Sequence, residues 1–330
     1  MSPSVPAPGA DWRPTASWDG LRRRAEILTQ IRSFFTTRGV LEVETPSLAG
    51  ATVTDLHLAS LRLQLRTEGE RRAFFLQTSP EFAMKRLLAA GSGPIFQICK
   101  SFRDDESGRR HNPEFTMLEW YRPGFDHHRL MDEMDELLSM ILGCGAAERL
   151  SYAEGFARHL GLDAHAASVA ELAAAAATHG IDLSIEAAAD LGRDDWLSLL
   201  LTHVVEPALG RDAPTFLYDY PASQAALARI RPGAPPVAER FEVYWRGVEL
   251  ANGFHELSDA DEQRRRFEAD LEARRRAALP TPPIDERLLA ALAHGLPDCA
   301  GVALGVDRLV MAALGSDDIE SVLAFPISRA

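Results

Sequence analysis

The chain has 330 residues, is 46% hydrophobic and 25% charged, and carries a formal net charge of −13. That is an ordinary globular balance, enough for one large domain or two modest ones. Its acidity, with a pI near 5.3, argues against a broad nucleic-acid-binding surface, which is normally basic, and suits a basic or small-molecule partner. Cys99, Cys144 and Cys299 are an odd set without zinc-like spacing, which points to a reducing, cytoplasmic setting. The longest apolar run, Ala170 to Thr178, is broken by Glu171 and is too short to span a bilayer, and no signal peptide is evident.

Residues 1 to about 17 are rich in Pro, Ser and Ala, the composition of a flexible segment. From Trp18 onward, Leu21, Leu28, Ile31 and Phe35 recur at helical spacing, and Gly39 ends that helix. Val40 to Val43 reads as a short strand stopped by Thr45-Pro46, and Phe74 to Gln77 as another. Thr78-Ser79-Pro80-Glu81 opens a helix with Ser79 as N-cap and Pro80 at the first helical position; Leu87 and Leu88 face the core and Gly91 caps the end. Phe96 to Arg122 holds two alternating segments around a polar loop. Gln97, Cys99, Ser101 and Arg103 share a face of the first, and Phe115, Met117, Glu119 and Tyr121 share a face of the second. A hairpin loop as long as Asp104 to Pro113 is unusual unless it has a task. Its Asp104, Asp105, Glu106, Arg109, Arg110 and His111 suit a polyanion and its metal ions.

Leu130 to Leu142 is helical, and residues 145 to about 213 read as Ala-rich helices, an insertion expected to pack as a small helical bundle with His159, His165 and His179 as solvated or core histidines. Thr215 to Tyr220 is a strand. Phe241 to Leu257 reads as a hairpin turning at Arg246-Gly247, which sets Tyr244 opposite Glu249 and makes Glu242 the diagonal neighbour of Glu249 on one face. Two carboxylates side by side repel unless a cation sits between them; Mg2+ on nucleotide phosphates is one candidate, and ion pairs to Arg240 or Arg246 are the other. Asn252-Gly253 then redirects the chain. Asp261 to Ala278 is a charged helix whose two Arg triplets make a solvated face or, less expectedly, a docking surface. Gly301 to Leu314 is a strand, a tight turn and a helix; small residues at 301, 303 and 305 let backbone approach a ligand, and Arg308 in the first helical turn favours phosphate.

These stretches resemble the class II aminoacyl-tRNA synthetases. FQICKSFRDDESGRRHNPEFTMLEWYR resembles motif 2, with HNPEFTMLEWYR in the form of its lysyl branch; RGVLEVETPSL resembles motif 1 and GVALGVDRLVMAALG motif 3. The resemblance implies an α+β class II catalytic fold over residues 18–330, an antiparallel sheet flanked by helices, dimeric through motif 1. It implies that Arg103 holds the α-phosphate of ATP, that Phe115 stacks on adenine, and that Asp104, Asp105, His111, Asn112, Glu249, Leu250, Gly305 and Arg308 complete the ATP site. Arg103 and Arg308 are the catalytic pair so implied, and Glu242 and Glu249 the Mg2+ ligands. Ser79, Pro80, Glu81, Glu119, Tyr121, Glu256 and Ala303 are implied to hold a lysine-like substrate. The physics agrees: guanidinium is a rigid fork matched to phosphate, an aromatic face suits a flat base, and a cationic side chain needs fixed carboxylates. The family has Glu two residues after the motif 2 Arg, where Asp105 stands, one methylene shorter.

FRDDESGRRHNPEFTMLEWYRP, PASQA, ELANGFHEL and GVALGVDRLVM resemble most closely the elongation factor P–lysine ligase family, paralogues of lysyl-tRNA synthetase. Only some seventeen residues precede motif 1, where lysyl-tRNA synthetases carry an anticodon-reading OB-fold. Ala303 stands where synthetases have Gly in GxGxGxDR, and its methyl would reshape the amino-acid pocket. The resemblance implies adenylation of (R)-β-lysine or lysine with ATP and Mg2+, then transfer to the ε-amine of a lysine on elongation factor P, by a cytoplasmic homodimer without anticodon recognition of tRNA. Two alternatives stay open: a stand-alone lysyl-adenylate-forming ligase with tRNA or a small amine as acceptor, and a non-catalytic synthetase-like regulator. The regulator is disfavoured because Arg103, Phe115, Glu242, Glu249 and Arg308 are all present.

Overall fold

The computed structural model describes residues 12–104, 106–184, 188 and 190–330. Most of the N-terminal segment expected to be flexible, and Asp105, therefore lie outside the described residues. Helix α1 (Trp18–Thr37) starts where the Ser17 hydroxyl accepts the Gly20 N–H, and it buries Ile27, Ile31, Phe34 and Phe35. β1 (Leu41–Glu42) follows a left-handed Gly39 and pairs in parallel with Ile95 and Phe96. β2 (Leu48–Ala49), β3 (Arg62–Thr67) and β4 (Glu70–Leu76) form a small antiparallel sheet of their own. Of it, the sequence pattern shows only the end of β4, because β3 and the start of β4 bury no side chain fully. Helix α2 (Glu81–Ala89) begins one residue later than expected: Pro80 is its N-cap, and the Ser79 hydroxyl accepts the Glu81 N–H at 3.0 Å.

β5 (Ile95–Phe102) and β6 (Glu114–Pro123) pair antiparallel, with Gln97 opposite Glu119 and Ser101 opposite Phe115. Helix α3 (His127–Leu142), capped by Asp126, starts three residues before the apolar period does. The region 145–213 departs from the expected bundle. It opens with β7 (Glu148–Ser151), which pairs in parallel with residues 215–218 at the edge of the main sheet. Helices α4 (Tyr152–Leu160), α5 (Val169–Thr178) and α6 (Arg193–Leu200) then build a second core with Leu217, Tyr220 and Tyr244 from that sheet. ERLS is too short and polar to announce a strand; it is held by its pairing.

β8 (Thr215–Pro221), β9 (Ile230–Arg231), β10 (Val237–Trp245), β11 (Val248–His255), α7 (Ala260–Arg276), α8 (Glu286–Gly295), β12 (Cys299–Gly305) and α9 (Val306–Leu314) complete the elements that position the site. Among the described residues nine strands make the main sheet, in the order β1-β5-β6-β12-β11-β10-β8-β7 with β9 on β10, and all pairs but the two edge ones named above are antiparallel. This is the class II synthetase architecture. One face of the sheet packs Phe96, Trp120, Phe241 and Val302 against α1, α3 and α9; Phe35 of α1 stacks on Phe96 with centroids 4.8 Å apart. Asn252-Gly253 does not redirect the chain. β11 runs through it, and the glycine is needed because a Cβ there would lie 2.4 Å from Cζ of Phe241. Five of the six arginines in the triplets of α7 are taken up within the fold. Arg264 pairs with Glu286, Arg265 and Arg266 with Glu262, and Arg275 with Glu272, while Arg274 is buried and donates to backbone carbonyls.

Candidate active site

Alternation along the central strands brings the predicted residues to the other face of the sheet. Phe115, Glu119 and Tyr121 of β6 share it, and β12 sets Gly305, Ala303 and Gly301 directly opposite Met117, Glu119 and Tyr121. Ala303 is thus beside Glu119, flanked on its other side by Asn252 of β11. Phe115 and Glu119 lie four residues apart on one face of one strand, about 13 Å at the usual rise. Two clusters occupy the ends of that span.

The first is cationic. The Arg103 guanidinium lies 5.1 Å from the centroid of the Phe115 ring and 3.4 Å from Glu106. Its Nε is buried without a hydrogen-bond partner. Arg308, in the first turn of α9, donates to the Glu249 carbonyl at 2.8 Å and contacts the Glu249 carboxylate at 3.4 Å and His111 Nε2 at 2.6 Å. Burial and the Arg308 charge lower the pKa of His111, so the ring meets the guanidinium as a neutral acceptor. Gly305 is the N-cap of α9 and supplies no side-chain cap, which leaves first-turn N–H groups for an anion. Asp104 sits exposed at the start of the loop. Asn112 is buried, and its amide serves the backbone: Nδ2 donates to the Glu114 carbonyl at 2.5 Å and Oδ1 accepts the Ile327 N–H at 2.9 Å. Leu250 sits at the bulge of the β10–β11 pair with its side chain in the core, so only its backbone can face a nucleotide.

The hairpin turns at Arg246-Gly247, both left-handed, and Tyr244 pairs with Glu249 as its spacing predicts. Glu242 is 7% exposed. Its carboxylate accepts from Arg240 at 2.5 Å, Tyr220 at 2.7 Å, Asn252 at 3.3 Å and the Tyr244 hydroxyl. The ion pair to Arg240 that the sequence allowed is therefore formed. Glu206, which the sequence reading missed, is the third acid here: burial, then Glu242 and Glu249, push its pKa up to about 7. Burial and Glu242 likewise raise that of Glu249. Carboxylate oxygens are the donor type a hard divalent cation takes.

The second cluster is anionic. Glu119 is 2% exposed, with its oxygens accepting from Ser79 and Tyr121, each at 2.6 Å. Burial and the neighbouring Glu81 hold its carboxyl up to about 8. Glu256, 1% exposed, is raised to about 7 by burial, with Lys85 opposing. Gly301 makes room for it, since a Cβ there would lie 2.6 Å from Glu256 Oε1 and 2.4 Å or less from the Tyr121 ring. Pro80 and Glu81 also line an adjoining cavity of about 520 Å³ with Gln77, Ser79 and Phe82. Two further residues were missed. Lys85 bridges Glu81 and Glu256, with 2.6 Å to each carboxylate. Asp307 is buried, paired with Arg24 at 2.6 Å and accepting the Thr116 N–H at 2.7 Å, so it ties α9 to α1 and β6. Lys85 follows Glu81 by one helical turn, which was the available signal.

Among the described residues, His127, Glu239 and His255 also bring possible metal-ligand atoms within 4.8 Å of one another. Alternation sets His255 on the sheet face opposite Glu256. Burial opposes its charge, but Glu239 at 2.6 Å and Asp298 at 2.9 Å raise its pKa, and Arg229 and Arg231 pair with the same acids. This is an ionic network at the sheet end, separate from the site. No helix among the described residues is long and apolar enough to cross a membrane.

Comparison with known proteins agrees with this geometry. The family model for tRNA synthetases class II (D, K and N) matches residues 9–329. The chain is 56% identical over 323 residues to the elongation factor P–(R)-β-lysine ligase of Salmonella paratyphi A, covering 97% of this chain and 99% of that protein. It is 55% identical, with the same coverage, to the proteins of that name from Yersinia enterocolitica and Klebsiella pneumoniae.

Proposed function

This chain belongs to the class II tRNA synthetase family (D, K and N), and we propose that it is a ligase that activates (R)-β-lysine with ATP and transfers it to the ε-amino group of a lysine on elongation factor P. The observation that carries the reading is the face of β6, with Phe115 beside Arg103 at one end and Glu119 and Tyr121 at the other. It suits a substrate with a nucleotide at one end and a cationic amino acid at the other.

In the first step a carboxylate oxygen of the amino acid attacks the α-phosphorus and pyrophosphate leaves. Arg103 neutralises charge gathering on the α-phosphate, and Phe115 carries the adenine. Arg308, with neutral His111 against it, holds the outer phosphates. Glu242 and Glu249, with Glu206 beside them, would hold Mg2+, which when bound supplies charge neutralisation to the phosphates. Glu81, Glu119 and Glu256 orient the ammonium groups, with Ser79 and Tyr121 fixing Glu119 and Ala303 shaping the wall. In the second step the acceptor amine attacks the acyl carbon, an amide forms, and AMP leaves.

A second copy of the chain is expected at β1. Leu41 is exposed there, at the motif 1 edge of the main sheet, and Leu48 is exposed on β2 of the small sheet; Leu41→Glu should yield a monomer in sedimentation.

The test is transfer of lysine isomers to purified elongation factor P with ATP, read by intact mass, beside a tRNA charging assay. A lysyl-sized gain on the protein, larger with (R)-β-lysine and without tRNA charging, is expected. Charging of tRNA with an unmodified factor would overturn the reading.

A further inference from the structure

We propose that Lys85 is a positioning residue that sets the charge of the amino-acid pocket: its ammonium cancels one of three buried carboxylates, so that the pocket matches a substrate carrying two ammonium groups. The inference rests on the functional reading above and adds the device by which the chain recognises a diamine.

Lys85 is 2% exposed, with Nζ 2.6 Å from Glu81 Oε1 and 2.6 Å from Glu256 Oε2. Glu81 stands one turn before it on α2, whereas Glu256 follows β11, so the ammonium joins two elements that the fold brings together. Burial alone would strip its proton, but Glu256 and Glu81 hold it charged. Glu119, the third acid, accepts hydrogen bonds from the neutral Ser79 and Tyr121 hydroxyls. The thiols and the phenol beside these acids are neutral, and Arg86, Asp285, Glu286 and Arg287 line the adjoining cavity. Burial and nearby carboxylates hold the Cys99 and Cys299 thiols up at about 12 and raise Tyr121. His255 lies on the opposite face with its own acids, Glu239 and Asp298. With the three carboxylates ionised, as bound ammonium groups favour, one ammonium leaves two negative charges, and a lysine isomer supplies two ammonium groups. An amino acid with one ammonium would leave a buried charge unmatched, which is costly.

The test is ATP–pyrophosphate exchange with (R)-β-lysine as a function of pH, for the wild type, Lys85→Met and the double variant K85M/E81Q, with melting temperatures recorded for each. Without Lys85, Glu256 loses its principal counter-ion and is protonated at neutral pH. K85M should therefore raise KM at pH 7 about tenfold or more, with the deficit shrinking toward pH 9. K85M/E81Q has two carboxylates and no ammonium, the same net charge as the wild type, and should return the midpoint of the pH profile toward the wild-type value. A deficit equal at both pH values, or a midpoint that the second substitution does not move, overturns the inference and leaves Lys85 a packing residue. If K85M alone does not fold, the midpoint of the double variant decides. Normal wild-type exchange with an indistinguishable K85M defeats this inference alone; a wild type that exchanges with no lysine isomer defeats the functional reading with it.

Discussion

Binding of the amino acid should release protons and strengthen as pH rises from 6 to 8. Glu119 is held up to about 8 and Glu256 to about 7, both chiefly by burial. An ammonium group favours the ionised carboxylates, so their pKa values fall when it binds, and affinity grows with pH until the free pocket is itself ionised. For Glu119 alone, the ionised fraction of the free pocket goes from about 1% at pH 6 to about half at pH 8, a gain of tens of fold in affinity, or about 2 kcal/mol. Glu256 adds to the slope at the lower end of that range. Titration calorimetry with (R)-β-lysine at pH 6, 7 and 8, in two buffers of different ionisation enthalpy, counts the protons directly. Glu119→Gln keeps one acceptor oxygen for either Tyr121 or Ser79 but has nothing to titrate, so its curve should be shallower. A wild-type affinity flat between pH 6 and 8, or uptake of protons on binding, would refute the reasoning.

Arg103→Ala should lower pyrophosphate exchange by about 100-fold or more with an unchanged melting temperature, since the lost group acts on charge formed in the transition state; near-normal exchange would remove the assignment. Asp307→Ala should cost about 3–5 kcal/mol in urea unfolding, because it strands a largely buried Arg24 charge and the Thr116 N–H. A loss under about 1 kcal/mol would mean that the network is replaced by water. Gly301→Ala should destabilise by about 1–3 kcal/mol and raise KM for the amino acid, because its Cβ would displace both Tyr121 and Glu256; an unaffected KM would place Glu256 outside the binding pocket.

Much of the site was legible because strands announce faces. The alternation that placed Phe115, Met117, Glu119 and Tyr121 together needs only period two, and the register across β5, β6 and β12 kept it. The hairpin at Arg246-Gly247 was readable for the same reason. What stayed hidden depends on partners far along the chain. β7 is a strand only because β8 offers an edge. Glu206 joins Glu242 and Glu249 only through the approach of the inserted region to β10. Asp307 stands next to Arg308 in the sequence, yet its side chain turns to Arg24, 283 residues away. Asn252-Gly253 misled because a glycine demanded by packing against Phe241 has the same spelling as one demanded by a turn. Glu242 argues the same point at the level of chemistry. Its four donors satisfy it as fully as any structural carboxylate, so hydrogen bonding alone would assign it no task. The proposed task comes from Glu249 and Glu206 nearby, whose proton affinities rise through burial first and then through the charge of Glu242. A carboxylate anchored by Arg240 and two tyrosines cannot swing away from a cation, and that rigidity is what a metal-holding group on a strand needs.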